Sequence, residues 1–357
     1  MEPILSNVPG TLPWHVWHER HPAMFASLVE AHPFPPSTRT ALDELLHETL
    51  TPEWLGTPFL AAESVFYRRL LEAIGYFTPD GPWAGFDLFA FLKDADLASA
   101  SLDLPDLTPA ERLLAALWGN QADLGFQLGS AIGPAAHLVV DQTDDALSVL
   151  TGAPRVGLVA DNAGKELLAD LGLVDWLLAG GGVDEVTVHL KPHPYYVSDA
   201  TTTDLVKCLR ALASAGGRAT DLATRLHTAA AEGRFVVATH PFFCAPLPFH
   251  EAPPDLFGAA DVLVFKGDLN YRRLVGDLRW PIATPFASTV PPLDAAIVAL
   301  RTLKSDVLVG VDENSVTDLE GDWRVNGRYG SVQVVSRPAA GPTPPASGPV
   351  SPSPGRG

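Results

Sequence analysis

The chain has 357 residues and a formal net charge of −18 at pH 7, with 24 Lys and Arg against 42 Asp and Glu. This acidic balance argues against nucleic acid as a partner, because phosphate-backbone binding needs clustered Lys and Arg, but it leaves a small anionic substrate open. With two cysteines, one bridge is arithmetically allowed, but neither a disulfide framework nor a Cys-x-x-Cys metal site is present. The N-terminal segment lacks a signal-peptide pattern, and no apolar run reaches the roughly 18 residues of a membrane span. We therefore expect a cytoplasmic protein without a membrane partner.

The first third of the sequence has the spacing of helices, with apolar residues three and four positions apart. The segments with this spacing are 41–50, 59–77 and 109–128. Pro and Gly clusters separate them, and Thr108 before Pro109 fits an N-cap with proline in the first turn. We therefore predict a helical N-terminal domain over residues 1–135.

The stretch WHVWHERH places His15, His18 and His21 three residues apart. This spacing could suggest a metal-binding face, but it is also the spacing of an amphipathic helix that buries Trp14 and Trp17. We favour the helix, so these histidines are interpreted as structural.

From about residue 136, short apolar runs alternate with helical stretches. The runs are HLVV (137–140), RVGLVA (155–160), EVTVHL (185–190), RFVVAT (234–239), DVLVF (261–265) and DVLVGV (306–311). Such alternation is typical of a parallel sheet covered on both faces. We predict an α/β fold with a mainly parallel sheet in an α/β/α sandwich over residues 136–337. We expect YGSVQVVS (329–336) at a sheet edge, and the Pro, Gly, Ala and Ser composition of residues 338–357 predicts a disordered tail.

Polar side chains follow several of the predicted strands. They are Asp161 and Asn162 after the second run, Lys191, Ser198 and Asp199 after the third, His240 after the fourth, and Lys266, Asp268, Asn270 and Arg272 after the fifth. Ligands of open parallel sheets bind at the carboxyl ends of the strands. We therefore expect acidic and cationic side chains to meet along one rim of the sheet.

The acidic part of this rim suits a hard divalent cation. Asp161, Asn162 and Asp199 offer oxygen ligands, which Mg²⁺ and Mn²⁺ prefer. Lys266 could face a phosphate, and Gly267 would let the backbone approach a ligand closely. A metal that neutralises phosphoryl oxygens and activates water is a route to hydrolysis.

Structural interpretations stay open for single motifs. An Asp-Asn pair before a helix is a good N-cap, and VSDATTTDLV has the pattern of a capped helix start. The convergence of several such motifs on one rim is what favours a functional site. HLVVDQTDDAL resembles the start of a haloacid-dehalogenase-type phosphatase, but the position two after Asp141, which needs a second Asp, holds Thr143. We interpret that segment as a strand end and turn.

Five motifs occur together and in a fixed order: ADNAGKELLADL, KPHPYYVSDAT, FKGDLNYRRLVGD, ALRTLKSDVLVGV and GDWRVNGRYGSVQ. In this order they resemble the metal-dependent damage-control phosphatase family. The Arg-Thr-x-Lys motif at residues 301–304 resembles that of its third, acidic-residue-methyltransferase-like subfamily. The helical segments AESVFYRRLL (62–71) and LWGNQADL (117–124) are also similar to family signatures, so the resemblance covers about residues 10–336.

The resemblance implies roles for individual residues. Asp161, Asn162 and Asp199 would bind the divalent metal, and Lys304, with Arg301 one turn earlier, would contact the phosphate. The implied substrate-binding set is Asn120, Asp123, Lys266, Gly267, Asp268, Leu269, Asn270, Tyr271, Arg272, Arg301 and Lys304. Proton transfer would fall to Asp199 or Asp268, and the sequence leaves that choice open.

The function implied is that of a metal-dependent phosphatase that hydrolyses phosphomonoesters of sugar phosphates or related small phosphorylated metabolites. Its cofactor would be Mn²⁺, Co²⁺, Ni²⁺ or Mg²⁺. Two alternatives stay open: an S-adenosylmethionine-dependent carboxyl methyltransferase, and a non-catalytic metabolite-binding protein on the same scaffold. The absence of a strand–Gly-rich–helix cofactor loop weighs against the first alternative. The substrate, the preferred metal and the oligomeric state are not predicted.

Overall fold

The computed structural model describes residues 1–119 and 137–337. The helices that precede the sheet are α1 (Leu12–His15), α2 (His21–Ala31), α3 (Pro36–Glu48), α4 (Pro52–Leu55), α5 (Phe59–Ile74), α6 (Ala90–Ala98) and α7 (Pro109–Trp118). A π-helical segment, Val16–Arg20, joins α1 to α2. The predicted N-cap of α7 is confirmed, since Thr108 and Glu111 form a reciprocal capping box. Helix α5 ends three residues earlier than predicted, because Gly75 adopts a left-handed conformation with φ +84°.

The remaining elements alternate between strands and helices. The strands are β1 (Leu138–Asp141), β2 (Arg155–Val159), β3 (Glu185–Leu190), β4 (Phe235–Thr239), β5 (Val262–Lys266), β6 (Ala296–Thr302) and β7 (Gly330–Val335). The helices between them are α8 (Thr143–Leu150), α9 (Lys165–Ala179), α10 (Thr202–Ala215), α11 (Gly217–Ala231) and α12 (Gly267–Val275). The predicted α/β class is confirmed.

The strands form one sheet of order β1-β7-β6-β5-β2-β3-β4. Strands β2 to β6 pair in parallel, whereas β7 is antiparallel to β6 and parallel to β1. The carboxyl ends of β2, β3, β5 and β6 therefore meet at one edge of the sheet. Asp141, at the carboxyl end of β1, lies at the opposite edge, which agrees with its interpretation as a strand end.

Side chains of the central strands alternate between two hydrophobic layers. On one face, Leu158 and Val264 pack in a cluster with residues of α7 to α11. On the other face, Phe265 packs in a cluster that includes Trp17 and Phe66 of the N-terminal helices and residues of α12. Helices thus cover both faces, which explains why the strands read as nearly continuous apolar runs.

Residues 306–311, predicted as a strand, form an irregular segment, and the strand β6 lies ten residues earlier. The segment is apolar because Val307 and Val309 are buried against the sheet. Side chains rather than a strand satisfy its carbonyl oxygens: Arg301 donates to Val307 O, and Gln333 donates to Val309 O at 2.8 Å. The segment therefore has the apolar pattern of a buried strand but does not form the hydrogen bonds of a sheet.

The expectation that residues 329–336 lie at a sheet edge is wrong for strand β7. It pairs with β1 on one side and with β6 on the other. The buried side chain of Val332 packs in the same layer as β2 and β5. The edges of the sheet are β1 and β4.

The histidine-rich N-terminal segment is helical as predicted. Trp17 is fully buried and donates its Nε1–H to Ser6 Oγ at 2.8 Å, whereas Trp14 is only half-buried and stacks on His18. His21 is buried between the rings of Phe66 and Trp17. These contacts confirm a structural role for the Trp17–His21 pair.

The boundaries of a separate helical domain over residues 1–135 stay a prediction, and the predicted tail, 338–357, lies outside the described residues. Both Cys208 and Cys244 are free. Within residues 1–119 and 137–337, no helix combines the length and apolarity needed to cross a membrane.

Candidate active site

The loops that follow β2 and β3 are joined by backbone pairing. Asn162 and Asp199 form an antiparallel β-bridge. On either side of it, Ala163 N donates to Ser198 O at 2.8 Å, and Ala200 N donates to Asp161 O at 2.9 Å. Three side chains that are up to 38 positions apart in sequence are thereby fixed next to one another at the carboxyl edge of the sheet.

The carboxylate of Asp161 lies in a narrow space at the end of β2. The backbone of Gly267, at the start of α12, approaches it so closely that a Cβ atom there would lie 1.8 Å from Asp161 Oδ2. Asn162 Nδ2 donates to the same oxygen at 3.0 Å. Burial raises the pKa of Asp161 well above its usual value, and the nearby carboxylates of Glu166 and Asp199 raise it further.

The amide of Asn162 is held in one orientation. Its Nδ2 donates to Glu166 Oε2 at 2.8 Å as well as to Asp161, and its Oδ1 accepts from Ser198 Oγ at 2.5 Å. Because Glu166 Oε2 accepts and the Ser198 hydroxyl donates, this network places the amide NH₂ toward α9 and the amide oxygen toward Ser198.

Asp199 is fixed by its own loop and by a buried cation. Tyr196 N donates to Asp199 Oδ2 at 2.6 Å, and Lys191 Nζ lies 3.5 Å from Oδ1. Lys191 is itself buried and donates to Ala160 O, at the end of β2. The carboxylate therefore has little freedom to turn.

Helix α9 starts later than an Asp-Asn cap would require. Its first residue is Lys165, and neither Asp161 nor Asn162 caps it. Asp96 of α6 does so instead, by accepting from Lys165 N at 2.8 Å. The N-cap interpretation of the Asp-Asn pair is wrong, because neither side chain accepts a hydrogen bond from a backbone N–H at the start of α9. The predicted capped helix at 197–206 is confirmed by a capping box between Thr201 and Asp204.

A cavity of about 350 Å³ lies above this edge of the sheet. Its floor contains Asp161, Asn162 and Asp199, together with Lys304 and Ser305 that follow β6. Its lining also includes Leu12, Val16, Arg20, Phe59, Glu63, Tyr67, Tyr196, Val197, Ser198, Asp268, Leu269 and Arg272. Acidic oxygen donors and a half-buried ammonium thus share one enclosure.

The Arg-Thr-x-Lys motif is arranged around Asp268. Arg301 Nε donates to Asp268 Oδ1 at 2.8 Å, and Lys304 N and Ser305 Oγ donate to the same oxygen at 3.2 and 3.1 Å. Burial favours a higher pKa for Asp268, but the guanidinium groups of Arg301 and Arg272 and these hydrogen bonds hold its pKa below the usual value.

Arg301 itself lies beneath the cavity. It is fully buried at the end of β6, where it donates to Asp268 and Ser305 and lies over the ring of Tyr271. The motif is therefore the end of a strand, and Arg301 does not precede Lys304 by one helical turn as expected. Its guanidinium donates hydrogen bonds to the carboxylate of Asp268 and to the backbone oxygen of Ser305.

The KGDLNYR segment is divided between the cavity and the protein interior. Asp268, Leu269 and Arg272 line the cavity, and Gly267 lies against Asp161. Asn270 is buried and donates to Ala160 O, at the end of β2, while Tyr271 hydrogen-bonds Val309 O. These two side chains support the site from below.

Lys266 is fully buried on the interior side of β5. Its ammonium lies 3.0 Å from Glu166 Oε1 and 2.8 Å from Asp170 Oδ1. This geometry corrects the expectation that Lys266 faces a phosphate, because both partners are buried carboxylates of α9. Burial raises the pKa of Asp170 to about 7, although Lys266 opposes that shift.

Several cavity residues were not identified from the sequence as individual site residues. Arg20, Glu63 and Tyr67 come from the N-terminal helices, and Tyr196 comes from the loop after β3. The AESVFYRRLL stretch was the available signal for Glu63 and Tyr67. No local pattern marks Arg20. Asn120 and Asp123 lie outside the described residues.

The donor set suits a hard divalent cation. Asp161 and Asp199 supply carboxylates, Asn162 supplies an amide oxygen, and Gly267 leaves Asp161 a space that a Cβ atom would fill. Among the described residues, no three His, Cys, Asp or Glu side chains lie together as a metal site. The residues fit a cation that is bound by these oxygen atoms and whose remaining coordination positions are taken by water or by a ligand.

Comparisons with known proteins identify the family of the chain. A family model for the damage-control phosphatase ARMT1-like domain matches residues 19–319. Damage-control phosphatase ARMT1 from Xenopus laevis is 30% identical over 347 residues, covering 81% of this chain and 77% of its own length. The protein of that name from Mus musculus is 29% identical over 332 residues, covering 79% and 75%. A DUF89 family protein from Pyrococcus horikoshii superposes with a TM-score of 0.49 at 17% identity, over 88% of this chain and 96% of that one. The chain belongs to the damage-control phosphatase ARMT1-like family.

Proposed function

We propose that this protein is a metal-dependent phosphatase that hydrolyses phosphomonoesters of small metabolites, with sugar phosphates as the substrate class. The observation that carries the proposal is the bridge between Asn162 and Asp199, which brings three oxygen donors together in a cavity that also contains Lys304. Neighbouring carboxylates repel each other unless a cation lies close to both, and an anionic phosphate monoester binds where positive charge faces its oxygens.

Asp161, Asn162 and Asp199 would hold the divalent metal. A bound Mn²⁺, Co²⁺, Ni²⁺ or Mg²⁺ would supply charge to the phosphoryl oxygens and lower the pKa of a bound water. Glu166 and Ser198 would hold the amide of Asn162 in one orientation, since Glu166 accepts from its Nδ2 and Ser198 donates to its Oδ1.

Lys304 and Asp268 would complete the site. The ammonium of Lys304 would bind the phosphoryl group as a point charge and stabilise the charge that builds up during transfer. The pKa of Asp268 is held below its usual value, so near neutral pH its carboxylate would accept a proton rather than donate one. Its Oδ1 also fixes the backbone of Lys304.

The cavity wall supports a polyhydroxylated organic group. Glu63, Tyr67 and Tyr196 offer hydrogen-bonding atoms beside the site, and Arg20 adds a cation. A cavity of about 350 Å³ is large enough for a monosaccharide phosphate. Polar groups at fixed positions discriminate between hydroxylated substrates, because an unpaired buried polar group is costly.

The test is phosphate release from a panel of sugar phosphates with Mn²⁺, Co²⁺, Ni²⁺ or Mg²⁺, with and without a chelator. We expect metal-dependent turnover that is lost in Asp161→Asn. The matched control is Asp141→Asn, which changes an Asp at the opposite edge of the sheet and should retain activity. Turnover that survives the chelator and the Asp161 substitution would sink the proposal. Heat on titration with S-adenosylmethionine, together with no phosphate release, would favour the methyltransferase alternative.

A further inference from the structure

Helix α6 contacts the loop that carries Asp199 through a buried lysine. Lys93 Nζ donates to the backbone oxygen of Asp199 at 2.7 Å, to Asp204 Oδ2 at 2.9 Å and to Asp87 Oδ2 at 2.9 Å. An ammonium has three donors, and all three are used here. Asp204 also takes part in the capping box at the start of α10. Lys93 therefore connects α6 both to the backbone of Asp199 and to α10.

The same helix contacts the loop that carries Asp161 and Asn162. Asp96 accepts from Lys165 N at 2.8 Å, at the first residue of α9. The contact is close, since a Cβ atom at Gly164 would lie 2.1 Å from Asp96 Oδ2. Gly164 has a positive φ of +68°, which positions Lys165 to donate to Asp96 rather than to a local cap.

Lys93 and Asp96 are three residues apart on one helix, so they project from the same face. One face of α6 thus contacts both ligand-bearing loops, one through each side chain. The distance between those loops is otherwise set by the bridge between Asn162 and Asp199. A rigid helix that contacts both loops resists their separation and rotation.

We propose that α6 is a brace for the metal site, and that Lys93 and Asp96 are positioning residues that act through Asp199 and through the Asp161–Asn162 pair. This inference rests on the proposed function, because it assumes that those three residues hold the cation. It goes beyond that function by assigning metal affinity to two side chains that do not line the cavity.

The test is the affinity of the metal-free full-length protein for Mn²⁺, measured by isothermal titration calorimetry at low temperature, without substrate. We expect K93M and D96A each to weaken Mn²⁺ binding about tenfold or more, the usual effect of removing a group that orients a metal ligand. The matched control is K207M. Lys207 pairs with Asp94 at 2.6 Å, so it joins α10 to α6 without contacting either loop, and its loss should leave the Kd within about twofold.

The outcomes separate the two proposals. K93M leaves Asp87 and Asp204 without their cation, so if that variant fails to fold, D96A decides, since Asp96 is only half-buried. Normal Mn²⁺ binding by a folded D96A protein would overturn the brace and leave the proposed function standing. A wild-type protein that takes up none of Mn²⁺, Co²⁺, Ni²⁺ and Mg²⁺ would overturn the metal site and the brace with it. Equal weakening in K207M and D96A would show general loosening of α6 and contradict a specific brace.

Discussion

Gly267 leaves room for the carboxylate of Asp161: a Cβ atom at residue 267 would lie 1.8 Å from Asp161 Oδ2 and 2.3 Å from its Cγ. The first residue of α12 and the first polar residue after β2 are thereby in direct contact. Gly267 also has φ +80°, a conformation that side chains disfavour. Space and backbone conformation both require glycine here.

The first prediction concerns this contact. Gly267→Ala should displace the Asp161 carboxylate and lower kcat/KM with metal present by at least about 100-fold, because small displacements of a reacting centre have effects of that size. The matched control is Gly276→Ala, at the other end of α12. It has φ +78° and its nearest neighbour would be Leu278 Cδ1 at 3.6 Å, so the backbone strain is similar without the clash. Equal activity loss in both variants would mean that strain alone is responsible.

A second prediction concerns Lys304, whose side chain lines the cavity while its backbone is held by Asp268. Lys304→Met removes the charge but leaves the backbone hydrogen bond. We expect kcat/KM to fall by about 100- to 1,000-fold, because the ammonium stabilises transition-state charge, and inorganic phosphate to inhibit less strongly. The free energy of unfolding should change by no more than about 0.5 kcal/mol. Unchanged phosphate inhibition would argue against contact between Lys304 and the phosphoryl group.

The third prediction separates Lys266 from Lys304. Lys266 is paired with Glu166 and Asp170 in the protein interior, so Lys266→Met leaves two carboxylates buried without a cation. We expect its free energy of unfolding to fall by about 3–5 kcal/mol, measured by urea denaturation. Adding Asp170→Asn removes one of the two charges and should restore part of that loss. If Lys266→Met is as stable as the wild-type protein, this ion cluster does not stabilise the fold.

A fourth prediction concerns acid stability through His21. Burial, with a smaller effect of Arg20, lowers the pKa of His21 from 6.5 to about 3. The folded protein keeps His21 neutral while the unfolded chain takes up a proton, so the stability from this group is present above pH 6.5 and is lost as the pH falls toward 3. Each pKa unit corresponds to about 1.4 kcal/mol, so the loss reaches roughly 4–5 kcal/mol.

His21→Phe removes that titration and keeps a ring between Phe66 and Trp17. The free energy of unfolding of the variant minus that of the wild-type protein should therefore rise as the pH is lowered from 7 to 4. Urea denaturation at each pH measures this difference. A difference that stays constant with pH would contradict the assignment of acid sensitivity to His21.

Some of the site was predictable because it depends on chain direction alone. Asp161, Asn162 and Asp268 directly follow strands, and the carboxyl ends of parallel strands must share an edge. That rule located the cavity floor and the start of α12. The same rule misplaced Lys266, because the direction in which a strand-end side chain points depends on which neighbouring helix covers it.

The sequence by itself determined the α/β class, the family and the edge of the sheet that carries the candidate site, since each depends on local periodicity or on contiguous motifs. Tertiary structure alone decided that Asp96 caps α9, that Lys93 holds the Asp199 loop and that Arg301 lies beneath Asp268. The physical reason is the separation along the chain between the residues that are in contact. A cap or an ion pair between residues 30 to 110 positions apart acts through space, and a linear pattern records only the neighbours along the chain.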